Sequence, residues 1–139
     1  MEESSGLLPR AGAVIDDANR ATIVLPAQGF DNVVRLVLAG YSSRLSLGFE
    51  ALDDLQLAVE LALRSLPLAG GRATVTLERP GGELTVTIGP FAAATLERRL
   101  EELTPEGIDL ASLLRRLVDT VETSDATLVL RKRLGAPAA

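Results

Sequence analysis

The stretch Leu57-Ala58-Val59-Glu60-Leu61-Ala62-Leu63-Arg64-Ser65-Leu66 sets the fold class. Together with Leu52 and Leu55, the residues Val59, Ala62 and Leu66 recur at intervals of three and four, the stripe of an amphipathic helix that covers a core on one side. Glu60 and Arg64 stand four apart, the spacing of a surface ion pair on such a helix. The pattern predicts a helix from about Glu50 to Leu66, stopped by Pro67 and by Gly70 and Gly71.

Beyond that stop the period changes from helical to two. Ala73, Val75 and Leu77 alternate with Thr74, Thr76 and Glu78, and Leu84, Val86 and Ile88 alternate with Thr85 and Thr87. The intervening Arg79-Pro80-Gly81-Gly82 predicts an antiparallel hairpin. Helices are expected from about Phe91 to Leu103 and from about Ile108 to Thr120, the second on the stripe Leu110, Leu113, Leu114, Leu117, Val118 and Val121. A last strand is expected near Ala126 to Arg133. Upstream, Thr22-Ile23-Val24-Leu25-Pro26 reads as a strand, and Phe30, Val33, Val34, Val37, Leu38, Tyr41 and Leu45 as the stripe of another helix. Residues 1–20 read as a flexible lead-in, 21–134 as one domain and 135–139 as a flexible tail. The order β-α-α-β-β-α-α-β, with one apolar face per helix, predicts an α+β fold: a two-layer sandwich of helices against a mostly antiparallel sheet.

Composition narrows the function. A chain of 139 residues, 47% hydrophobic, can bury a core as one domain. A net charge of −5 and few aromatics argue against nucleic acid, whose phosphates call for clustered Lys and Arg. Lys132 is the only lysine. With neither Cys nor His, disulfides, thiol nucleophiles, the usual zinc sites and His-based proton transfer drop out. No apolar run reaches membrane-spanning length and the N-terminus has no apolar signal core, so the expectation is a soluble, cytoplasmic protein.

The helix around Leu61, the opening Ile23-Val24-Leu25-Pro26-Ala27 with Val34-Arg35-Leu36, the pair Gly107-Ile108-Asp109-Leu110 and Leu117-Val118-Asp119-Thr120-Val121, and the strand Thr127-Leu128-Val129-Leu130-Arg131-Lys132 occur in an order that resembles the serine-kinase anti-sigma factors. These belong to the GHKL, or histidine-kinase-like, ATPases. The resemblance spans about Thr22 to Leu134 and implies the Bergerat fold. In that family the long helix carries a glutamate base and, four residues on, an asparagine that holds magnesium on ATP. The resemblance puts these roles at Leu61 and Ser65, and neither side chain can perform them: leucine accepts no proton, and a lone hydroxyl is a poor magnesium ligand. Glu60 lies one residue away, about 100° around the helix.

Other departures point the same way. Active relatives carry an Asp-x-Gly-x-Gly segment whose aspartate reads adenine, whereas this chain runs Ile88-Gly89-Pro90-Phe91. The expected nucleotide-site remnants are Gly89, Gly107 and Asp109, with Asp109 in place of a glycine at a helix start that would otherwise welcome phosphate. Glu106 and Asp109 also suit a first helical turn, with Thr104 and Pro105 as cap and first residue. Arg98, Arg99, Arg115 and Arg116 read as solvated helix faces. The resemblance gives Arg35 a partner-gripping face.

The expectation is therefore a catalytically degenerate, anti-sigma-like regulator that binds proteins and has neither catalytic residues, metal nor cofactor. The expected partners are a sigma factor or a STAS-domain anti-sigma antagonist, with a second copy of the chain as a homodimer and with no nucleic acid or membrane. The alternative is an active protein serine kinase using ATP and magnesium.

Overall fold

Alternating apolar residues make one face of each inner strand a core surface. The computed structural model describes residues 12–17, 20–26, 40, 48–79 and 82–133. Six strands, β1 (Gly12–Asp17), β2 (Arg20–Pro26), β3 (Arg72–Glu78), β4 (Glu83–Gly89), β5 (Thr120–Ser124) and β6 (Thr127–Arg133), form one sheet in the order β1-β2-β3-β4-β6-β5. Every neighbouring pair is antiparallel. Three helices, α1 (Phe49–Ser65), α2 (Ala93–Glu101) and α3 (Leu110–Arg115), complete an α+β fold.

Register explains the two unlike faces. Ile23 lies opposite Val75, Val75 opposite Ile88, and Ile88 opposite Leu128, so one row crosses four strands and is buried throughout. Leu55, Val59, Ala62 and Leu66 of α1, Leu96 and Leu100 of α2, and Leu110 and Leu114 of α3 close onto the same cluster. Each fully buried Leu or Ile there contributes about 1.5–3 kcal/mol. The next residues along the strands form the opposite face, where Thr22, Thr76, Thr87 and Val129 lie in one row and are only partly buried. Helices α1, α2 and α3 all pack on the core side.

Local chemistry sets the helix ends. Leu66 ends α1 in an extended conformation, as the residue before Pro67 must avoid the helical region, and its N–H closes onto the Ala62 carbonyl at 3.0 Å. Lys132 points to the core side opposite Leu84, yet its apolar stem lets Nζ reach the rim. There it donates to the Leu117 carbonyl at 2.8 Å and pairs with Asp54 of α1 at 3.4 Å.

The structure differs from the sequence reading at both sheet edges. Gly12–Asp17, inside the expected lead-in, is strand β1, because an apolar run too short to signal by itself gains its backbone hydrogen bonds from β2. The helix expected to run to Thr120 stops at Arg115, and Thr120–Ser124 is strand β5. The β-branched Thr120, Val121 and Thr123 favour a strand, and Val121 faces Leu130 instead of extending a helical stripe. The third expected helix also shortens to Ala93–Glu101, with Phe91 buried and bridged to Leu68. The first expected helix lies outside the described residues, except that Gly40 is helical, and so do residues 135–139.

Candidate functional site

On α1, Leu61 and Ser65 lie one turn apart, off the stripe of Val59 and Leu66. Leu61 is partly buried and packs against the core, while Ser65 is exposed. Glu60 does not behave as a surface residue. It is 8% exposed, accepts a hydrogen bond from Gln56 Nε2 at 3.1 Å, and meets the exposed Arg64 guanidinium at 4.0 Å. The ion pair expected from the spacing is present, with its carboxylate end buried.

The two glycines each have a local task. Gly89 ends β4 against the β5–β6 turn, where an added Cβ would sit 3.0 Å from the Ala126 carbonyl oxygen and 3.3 Å from Thr127 Oγ1. Gly107 has φ +84°, a backbone region open to glycine, and its N–H returns to the Thr104 carbonyl at 2.8 Å. Thr104 is not the helix cap. Its N–H donates to the Ile108 carbonyl at 2.8 Å, and its buried Oγ1 has no hydrogen-bond partner.

The cap of α3 is Asp109. Its Oδ2 accepts from the Ser112 N–H at 3.1 Å and its Oδ1 from the Ser112 hydroxyl at 2.8 Å. The Ser112 hydroxyl first, then its N–H, hold the Asp109 carboxyl below the usual aspartate range, and the positive charge of Arg115 adds to this. The backbone donor that a phosphate would use is thus already satisfied by this chain's own carboxylate.

Asp109 also lines a cleft of about 350 Å³ bounded by α2, α3 and the edge strand β5. Leu100, Ala111 and Val121 give it apolar walls, and Glu97, Glu101 and Asp109 share the lining with a single guanidinium, Arg115, while Glu122 adds to the rim at β5. The Thr123 hydroxyl donates to Glu97 at 3.3 Å, tying β5 to α2, and Glu122 pairs with Arg131 across the sheet. Of the residues singled out from the sequence, only Asp109 and Arg115 reach this cleft; Leu61, Ser65, Gly89 and Gly107 do not line it. The remaining arginines, Arg98, Arg99 and Arg116, are exposed as expected, and Arg99 pairs with Glu102 at 3.1 Å. Arg35 lies outside the described residues.

Sequence reasoning missed the contribution of β5 to the cleft. The signal was the alternation of Thr120, Glu122 and Ser124 with Val121 and Thr123, followed by Asp125, whose φ of 56° makes a tight turn. Among the described residues no group of three or more acidic side chains is placed to hold a metal ion, and no helix is long and apolar enough to cross a membrane. Compared with known proteins, the chain matches no protein-family model and no curated protein sequence.

Proposed function

We propose that this chain is a catalytically degenerate relative of the serine-kinase anti-sigma factors, with a Bergerat fold, that acts by protein–protein binding in a bacterial cytoplasmic switch. The observation that carries the reading is the packing of Leu61 against the core, where the family resemblance would put a catalytic carboxylate. The antiparallel sheet with helices on one face and the Asp109 cap on α3 support it further.

The partner is a sigma factor or a STAS-domain antagonist, gripped in part by Arg35, and the chain pairs with a second copy through the sheet face opposite α1, α2 and α3. Strands about 4.8 Å apart and about 3.3 Å per residue give that face roughly 500 Å² per copy. Two such faces bury about 1,000 Å², the low end for a specific interface, so the homodimer is weak. Biolayer interferometry against the host's sigma factors and STAS-domain proteins tests the reading. One of them should bind, and Arg35→Glu should remove that binding with an unchanged melting temperature. Binding to none of them would sink the proposal.

A further inference from the structure

The two edges of the sheet are not alike. In β1 the pairing register shifts between Ile15 and Asp17, an irregularity of the kind that turns an edge away from intruding strands. Strand β5 pairs with β6 in unbroken register over all five of its residues, contains neither proline nor lysine, and exposes Thr120, Glu122 and Ser124. Among the described residues its outer edge has no partner strand. The two-residue turn Asp125-Ala126 makes Ser124 and Thr127 the closing pair, so alternation turns the N–H and C=O groups of Val121 and Thr123 outward.

Both residues line the cleft, and the Thr123 hydroxyl reaches across to Glu97 of α2. A strand laid beside β5 would send alternate side chains toward it. The cleft offers an apolar wall from Leu100 and Val121, and Glu101 has no partner among the described residues. With carboxylates outnumbering its one guanidinium, the chemistry that fits is a long aliphatic stem ending in a cation. The net charge of −5 draws such a segment in from a distance.

We propose that the outer edge of β5 and the cleft beside it dock an extended, basic segment of a partner protein, which adds as a seventh strand and places an arginine or lysine side chain in the cleft. Main-chain hydrogen bonds hold the segment and the cleft selects its charge. This site lies apart from Leu61 and Ser65 and stands whether or not the chain is an anti-sigma relative.

Fluorescence anisotropy with the full chain tests it, using a labelled hexapeptide of alternating valine and arginine as the probe. Four results are expected. The peptide binds with a dissociation constant of about 10–100 μM, a short strand's worth of contacts. Replacing its arginines by glutamate, or N-methylating alternate backbone nitrogens, weakens binding at least about tenfold. The exposed double variant Glu97→Arg, Glu101→Arg weakens the arginine peptide by a similar factor while its circular dichroism stays unchanged. Hydrogen exchange at Val121 and Thr123 slows when the peptide is bound. Equal affinity for the glutamate peptide, or full affinity after N-methylation, would overturn the proposal, as would no binding at millimolar peptide. Sedimentation showing that a second copy pairs along β5 would overturn it too.

Discussion

Replacing Gly89 by alanine tests whether this glycine serves packing. The new Cβ would stand 3.0 Å from the Ala126 carbonyl oxygen and 3.4 Å from Thr127 Cα, both backbone atoms. The carbonyl cannot simply retreat, because it accepts the Phe91 N–H at 2.7 Å, and Phe91 is fully buried. Overpacking of this kind costs about 1–3 kcal/mol, and weakening the Phe91 hydrogen bond adds up to about 1 kcal/mol. The lower backbone entropy of alanine in the unfolded chain returns about 0.4–1 kcal/mol. The net loss is about 1–3 kcal/mol, which for a chain of this size lowers the melting temperature by roughly 3–10 °C. Thermal unfolding followed by circular dichroism measures it. An unchanged or raised melting temperature for Gly89→Ala would refute the packing role.

Lys132→Met should cost about 1–2 kcal/mol in urea unfolding, since the Leu117 carbonyl loses its donor while the half-exposed Asp54 regains water; a variant as stable as the parent would count against the tether. Asp109 has a lowered folded-state pKa, so its contribution is complete above the ordinary value of 3.8 and disappears as the pH falls through the lowered one. The parent should therefore lose stability between pH 5 and the acid limit faster than Asp109→Asn, which keeps a capping oxygen but does not titrate; parallel pH profiles would contradict this. Leu61→Glu with Ser65→Asn should leave kinase activity absent and lower stability, because a carboxylate would replace a side chain packed against the core; a gain of phosphoryl transfer to serine would show that the rest of the site is intact.

The inner part of the fold was legible in the sequence because inner strands bury one full face. Ala73, Val75 and Leu77, and Leu84, Val86 and Ile88, are all buried as their alternation predicts, and Thr74, Thr76, Thr85 and Thr87 take the other face. Strands β1 and β5 were not legible. An edge strand is held on one side only, so it can be short and weakly patterned; in β5 even Val121 is only partly buried. Leu117, Val118 and Val121 also satisfied a helical period, and the two periods cannot be told apart over so few residues. The same ambiguity hid the cleft, since a third of its lining belongs to β5. Asp109 was found for its charge, but its partner Ser112 follows from helix geometry that only the structure supplies.

Titration calorimetry of the unmodified chain with ATP and magnesium bears most directly on the claim of a kinase scaffold without a kinase site. Leu61 is packed on the core, Ser65 is exposed, and Asp109 is engaged with Ser112. The account predicts binding no tighter than about millimolar, a free energy of roughly −4 kcal/mol. A micromolar dissociation constant would contradict it and favour an active protein serine kinase.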